Sequence, residues 1–388
     1  MPAGPGAGRR KEAMLRVPPD PGAFVSFFSW LSMSVLLPPR YLPEPADGQA
    51  FSDHPEPRAP GPVGVLLINL GTPDAPEAGA IRRYLAEFLS DQRVIELPQL
   101  LWQPILRGAI LPLRPRKLAP RYREIWHEGG SPLLVWSLAQ GKGVDQALKS
   151  LGIQAHVEVG MRYGRPALDG ALENLRRQGC ERILVVPMYP QYAASTTATA
   201  VDAVARYAAR LRNQPELRFI KRFHTEPEYI DALAGQVERH WAQNGEPQKL
   251  LLSFHGLPRA VVEKGDPYRR DCMETADLLA ARLGDRGKLV SVAFQSRFGA
   301  QKWLEPYTEP TLRAWARQGV TQVDVMCPGF LADCIETLEE IQMQCRDAFL
   351  SEGGQRFGFI PCLNDDPQWA RGFAAIVGRH LQGWVKTA

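Results

Sequence analysis

The chain has 388 residues, 45% of them apolar and 23% charged, with a net charge of +4 at pH 7. That length and balance exclude a wholly disordered chain and leave room for two domains of ordinary size. The charge is spread without a long basic block, so nucleic-acid binding is not indicated.

The first sixty residues differ from the rest. Thirteen of the 34 prolines lie in residues 1–62, a density that opposes regular structure, and residues 1–60 read as a disordered extension. Inside it, the apolar run over residues 23–37 is 15 residues long and holds four serines. A spanning helix needs about 20 residues. A secretion signal and a membrane-surface anchor are the alternatives, though no small-x-small cleavage site follows the run. Met14 and Met33 offer later starts.

From Val63 onward, short β-branched runs alternate with amphipathic stretches. Strands are expected over 63–70, 154–160, 182–188, 217–222, 249–255, 289–295, 322–327 and 357–361. Helices are expected over 168–178, 229–243, 273–283 and 335–349, where apolar residues recur with a helical period. Continuous apolar strands separated by helices mean parallel sheets covered on both faces. Eight strands in two groups of four predict an α/β fold of two Rossmann-like lobes with a cleft between them, each lobe a four-stranded parallel sheet flanked by helices. The N-terminal lobe is expected over 61–225 and the C-terminal lobe over 226–362. A closing helix within 366–385 straps back onto the first lobe.

Residues 94–132 break this rhythm. They carry Trp102 and Trp126, several prolines, and Arg107, Arg114, Arg116, Arg121 and Arg123. An insertion of this size is usually a lid or a binding wall. Its apolar half suits a flat hydrophobic ligand or a membrane surface; a helical excursion packed on its own lobe is the plainer alternative.

Chemistry concentrates at strand ends. The run LLLSFHGLP over residues 250–258 puts His255 at the end of a buried strand, before a Gly/Pro turn. Open α/β sheets place their crevices there. A lone histidine in that place is as often structural as functional. The run VMCPGFLADCIETLEEI over residues 325–341 leaves another strand through a Pro-Gly turn and enters a helix. Glu336 and Glu340 are four apart and share a face, with Asp333 one turn earlier. Acids there can also simply complement a helix dipole. An imidazole facing stacked carboxylates suits proton abstraction and transient binding of a divalent metal, yet it is too sparse for a closed metal site. Tyr163, Trp303 and neighbouring aromatics or methionines at other strand ends imply a broad, apolar ligand. No G-x-G-x-x-G follows the first strand, so a dinucleotide site is poorly supported. Six cysteines without a C-x-x-C pair read as reduced thiols.

In order along the chain stand LINLGTPDAP, EGGSPL, MRYG, YPQY-x-x-STT, LLLSFHGLPRAVVEKGDPY, QSRFG-x-x-KWLEP and CPGF-x-x-DC-x-ETLEE. Together they resemble the ferrochelatase family, whose members insert ferrous iron into protoporphyrin IX to make haem, from about residue 63 to residue 386. The resemblance implies His255 and Glu336 as the catalytic, metal-handling pair. It also implies Glu340 and Asp333 as a proton or metal path, and Tyr163, Arg162, Trp303 and Phe330 as porphyrin contacts. Arg114 and Arg116 are candidate propionate partners. Fe²⁺ is then a substrate, and no permanently bound cofactor is expected.

Three departures from the animal pattern matter. Cys334 stands where animal enzymes have a histidine, and Gln344 where a further acid often continues the row. Ala194 replaces a cysteine ligand and no cysteine-rich tail follows, so a [2Fe–2S] cluster is not expected. The alternatives carried forward are a coproporphyrin III ferrochelatase and a porphyrin or haem carrier without turnover. A cytoplasmic monomer or homodimer with peripheral membrane contact is the expected setting.

Overall fold

A computed structural model describes residues 41–43, 53, 61–299 and 301–385. Apart from residues 41–43 and 53, the expected extension over 1–60, including its apolar run, lies outside these. The fold belongs to the compact unit Ala46–Ala388.

The first sheet contains β1 (Val63–Thr72), β2 (His156–Gly164), β3 (Arg182–Pro187) and β4 (Glu216–Phe219) in the order β2-β1-β3-β4. The second contains β5 (Lys249–His255), β6 (Val290–Gln295), β7 (Gln322–Met326) and β8 (Arg356–Ile360) in the order β6-β5-β7-β8. All pairings are parallel. Central strands are buried on both faces, Val65 to Ile68 and Leu250 to Leu252 being inaccessible, which explains their unbroken apolar runs. In both sheets the chain winds to one side and then returns to the other side of the first strand. That reversal opens a crevice at the carboxyl ends of the two strands it separates, β1 and β3 in the first sheet, β5 and β7 in the second.

The expected strands match the observed ones, with boundary shifts. The first two run further, because Gly71 and Thr72 still pair with Tyr163 and Gly164. Gly71 sits at φ +108°, and a Cβ on it would lie 1.7 Å from the Tyr163 carbonyl oxygen. Only glycine lets the strands stay together there.

The excursion over 94–132 is helical. After α1 (Ala78–Phe88) come α2 (Gln99–Ile105), a wider π turn (Leu106–Ile110) and α3 (Leu111–Ile125). Pro104 and Pro112 flank the π turn, and each removes a backbone donor from the helical ladder. Trp102, Leu106, Leu111, Ala119, Tyr122 and Ile125 pack on Ile81, Tyr84 and Leu85 of α1. The plainer alternative therefore describes its inner face. Its outer face does something else: Leu97, Leu100, Leu101, Ile105 and Leu113 are exposed, Leu100 by 91%.

Helix α4 (Pro132–Ser150) leads into β2, α5 (Leu168–Arg177) joins β2 to β3, and α6 (Thr199–Ala208) joins β3 to β4. Helix α7 (Pro227–Asn244) crosses to the second sheet, where α8 (Arg259–Glu263), α9 (Tyr268–Arg282) and α10 (Thr308–Arg317) connect the strands. The segment expected as one helix over 335–349 is instead a π-helix (Glu336–Cys345) followed by α11 (Arg346–Ser351). Apolar spacing does not separate these windings, since both keep residues three to five apart on one face.

The closing helix α12 (Pro367–His380) packs on α4, where the Ala370 methyl lies over Gly143, and also on α7. Trp369 and Phe373 stack at 4.8 Å and meet Phe223 and Tyr229 in the shared core. The strap therefore joins both sheets' layers rather than the first alone. All six cysteines are buried and unbridged.

Candidate active site

His255 ends β5, and its ring lies 6.4 Å from that of Trp303 and 6.5 Å from that of Phe330. Gly256 makes the turn possible: its N–H donates to Gln295 O at 2.8 Å, and a Cβ there would strike that same oxygen. Nδ1 of His255 lies 2.7 Å from the Gly256 carbonyl. A carbonyl only accepts, so Nδ1 carries a proton and Nε2 is the ring nitrogen free of that bond.

Strand β7 pairs directly with β5. Cys327-Pro-Gly-Phe330 turns the chain out of β7, closed by Phe330 N–H to Cys327 O at 3.1 Å. The turn is held from the first half by Gln140, whose Nε2 donates to Leu331 O at 2.7 Å. It is held from α7 by the Tyr229 hydroxyl, which donates to Pro328 O. Glu336 then opens the π-helix. A buried polar chain runs behind it: Ser253 Oγ meets Thr308 Oγ1 at 2.8 Å and donates to Gln295 Oε1 at 2.7 Å, and Gln295 Nε2 donates to Glu336 O at 2.7 Å.

The histidine and the carboxylates thus come from neighbouring strands of one sheet, at its switch point. The facing wall comes from the first half. Burial, together with the charge of Glu336, pushes the phenols of Tyr84 and Tyr122 well above their ordinary range. Partial burial lowers the Arg114 guanidinium, and the charges of Tyr122 and Glu336 oppose it. Arg114 also lies 4.4 Å over the Phe298 ring, linking the helical excursion to the loop after β6. Burial raises the Glu340 carboxyl above its ordinary value, against hydrogen bonds from Ser296 and the charge of His255.

Other residues singled out in the sequence sit elsewhere. Asp333 is buried and fully engaged: Oδ1 accepts from Thr337 Oγ1 at 2.9 Å and from Cys362 N–H at 3.3 Å, and Oδ2 accepts from Asn364 Nδ2 at 2.6 Å. It anchors the turn to the segment after β8 and is not brought into the row of Glu336 and Glu340. Tyr163 is 1% exposed, with its hydroxyl on Asp91 at 2.9 Å and Thr199 at 3.0 Å. It supports the wall from behind and does not line its surface. Arg162 pairs with Asp91 and donates to Thr199 O at 3.0 Å. Burial would raise the Asp91 carboxyl, yet the Arg93 N–H, the Tyr163 hydroxyl and the Arg162 charge hold it below its usual value. Arg116 is exposed and makes no ion pair among the described residues.

Tyr84, Tyr122, Gln295 and Ser296 were not legible as site residues. Tyr84 and Tyr122 stand in ordinary helical context, Gln295 and Ser296 stand in the QSRFG motif without a role legible there, and only the fold brings them to the carboxylates. Among the described residues, one group places three ligand atoms within 4.8 Å: His224, Asp271 and Glu274. Arg222 already pairs with Asp271 at 2.8 Å, and Arg270 lies 3.6 Å from both carboxylates, so that cluster is charge-compensated without an ion. His255, Glu336 and Glu340 are each only half-buried.

Two parallel sheets with an imidazole and stacked carboxylates at a switch point, walled by aromatics, define an α/β enzyme of the chelatase class. The ferrochelatase family model matches residues 62–381. Ferrochelatase of Bordetella pertussis (strain Tohama I) is 61% identical over 349 residues, 90% of this chain and 96% of that one. Ferrochelatase of Azoarcus sp. (strain BH72) is 55% identical over 323 residues, 83% and 89% of the two chains. Among solved structures, SirB from Bacillus subtilis with Fe³⁺ aligns at a TM-score of 0.49 and 16% identity, over 66% of this chain and 93% of that one. The chain belongs to the ferrochelatase family.

Proposed function

We propose that the chain inserts Fe²⁺ into protoporphyrin IX to form protohaem, with His255 as proton acceptor and Glu336 as the residue that receives iron. Two pyrrole N–H bonds break, iron–nitrogen bonds form in their place, and two protons leave; iron stays ferrous. The macrocycle must tilt its nitrogen lone pairs toward one face, so a cleft that binds a bent ring better than a flat one lowers the barrier. Trp303 and Phe330 hold the ring beside His255. Protons then pass to the His255 Nε2 lone pair and along Glu340. The observation that carries this reading is the Nδ1 bond to Gly256 O, which leaves Nε2 as the ring nitrogen free to take part in proton transfer.

Two features favour protoporphyrin, with two propionates, over coproporphyrin III, with four. Arg114 and Arg116 form no ion pair among the described residues, whereas Arg162 and Arg121 are already engaged by Asp91 and Glu339. The adjoining helical face is leucine-rich. With anaerobic Fe²⁺ and excess porphyrin, the expected result is many turnovers per chain and a higher kcat/KM for protoporphyrin IX. At most one haem per chain would mean a carrier, and faster coproporphyrin III turnover would reverse the substrate choice.

The same exposed leucines are proposed to rest on a lipid surface, with Arg107 and Lys117 beside anionic headgroups. Among the described residues no helix is long and apolar enough to cross a membrane. Unbridged cysteines fit a reducing compartment, so the setting proposed is the cytoplasmic side of the inner membrane. Leu100→Glu with Leu101→Glu should abolish co-sedimentation with anionic phospholipid vesicles and leave the circular-dichroism spectrum and melting temperature unchanged. Undiminished vesicle binding would remove the membrane proposal.

A further inference from the structure

Ser296 leaves β6 at φ +65°. Outside glycine, that left-handed conformation is uncommon and clusters where function requires it. Here it turns the Ser296 N–H and hydroxyl to the same side. The N–H donates to Glu340 Oε1 at 2.6 Å, and the hydroxyl donates to Glu340 Oε2. One residue thus holds both oxygens of one carboxylate. The loop beyond is fastened on its own account, with Arg297 over Tyr307 at 5.2 Å and Arg114 over Phe298 at 4.4 Å. Helical geometry alone does not aim Glu340, because a glutamate has several staggered rotamers open to it.

We propose that Ser296 is the positioning residue for Glu340, its left-handed backbone fixing the orientation of that carboxylate. The inference rests on Glu340 as the proton relay. Ser296 itself touches neither iron nor porphyrin. It removes the rotamer freedom that would let Glu340 swing out of that orientation, and positioning of this kind is felt in kcat more than in substrate binding.

Ser296→Gly tests this without disturbing the turn, because glycine adopts positive φ freely. The N–H bond persists and the hydroxyl bond is lost. We expect kcat to fall about tenfold, the size of one hydrogen bond to a charged group, with KM for protoporphyrin unchanged. Ser296→Ala serves as a second probe with the same expectation. In a Glu340→Gln background, Ser296→Gly should cost less than about twofold, since a residue acting only through another is silent once that partner is altered. Equal losses in both backgrounds would mean a merely structural role and overturn the inference. So would an unchanged kcat in Ser296→Gly while Glu340→Gln alone is impaired, which leaves the relay intact. An unimpaired Glu340→Gln removes the relay and this inference with it.

Discussion

His255→Ala is expected to lower kcat for iron insertion by about 10²–10⁴-fold, the range of a lost general base. The ring is held so that Nδ1–H is bound to Gly256 O, and Nε2 is free of that bond. Alanine leaves no imidazole to take the first proton before it reaches Glu340. His255 is only half-buried and packs loosely on Trp303 and Phe330, so the melting temperature should change little. A variant that folds and keeps near-wild-type metalation would show that His255 is structural.

Glu336→Gln is expected to lower kcat by about 10²-fold and to raise KM for Fe²⁺, with KM for porphyrin within a few fold. The amide keeps size and shape and removes the charge that a hard or borderline divalent ion needs. The backbone carbonyl of Glu336 still accepts from Gln295, so the π-helix should keep its start. The split between the two KM values is the informative readout. A pure loss of porphyrin binding would mean that Glu336 shapes the pocket and does not handle metal, and wild-type kinetics would exclude it from the reaction.

The eight strands were readable because each central strand is buried on both faces, and burial on both faces writes a continuous apolar run. The boundary errors fall where local pattern is silent. The β1–β2 pairing runs on to Thr72 and Gly164 because Gly71 clears the Tyr163 carbonyl. The spacing at Glu336–Cys345 does not distinguish a π-helix from an ordinary one because both windings keep Glu336 and Glu340 on one face. Residues 94–132 announced themselves as an interruption. That the segment is helical inside and leucine-covered outside depends on what α1 presents to it.

By itself, then, the sequence determined the parallel α/β architecture, the strand ends on which His255 and Glu336 stand, and the family resemblance. These depend on patterns within a few residues, or on motifs whose order survives without coordinates. Only the tertiary structure decided which polar groups were already spent. It turned Asp333, Arg162 and Tyr163 inward to Asn364, Asp91 and Thr199, and brought Tyr84, Tyr122, Arg114 and Ser296 to the carboxylates. A hydrogen bond joins atoms that lie tens to hundreds of residues apart, and its partners are chosen by packing. No local spacing records that choice.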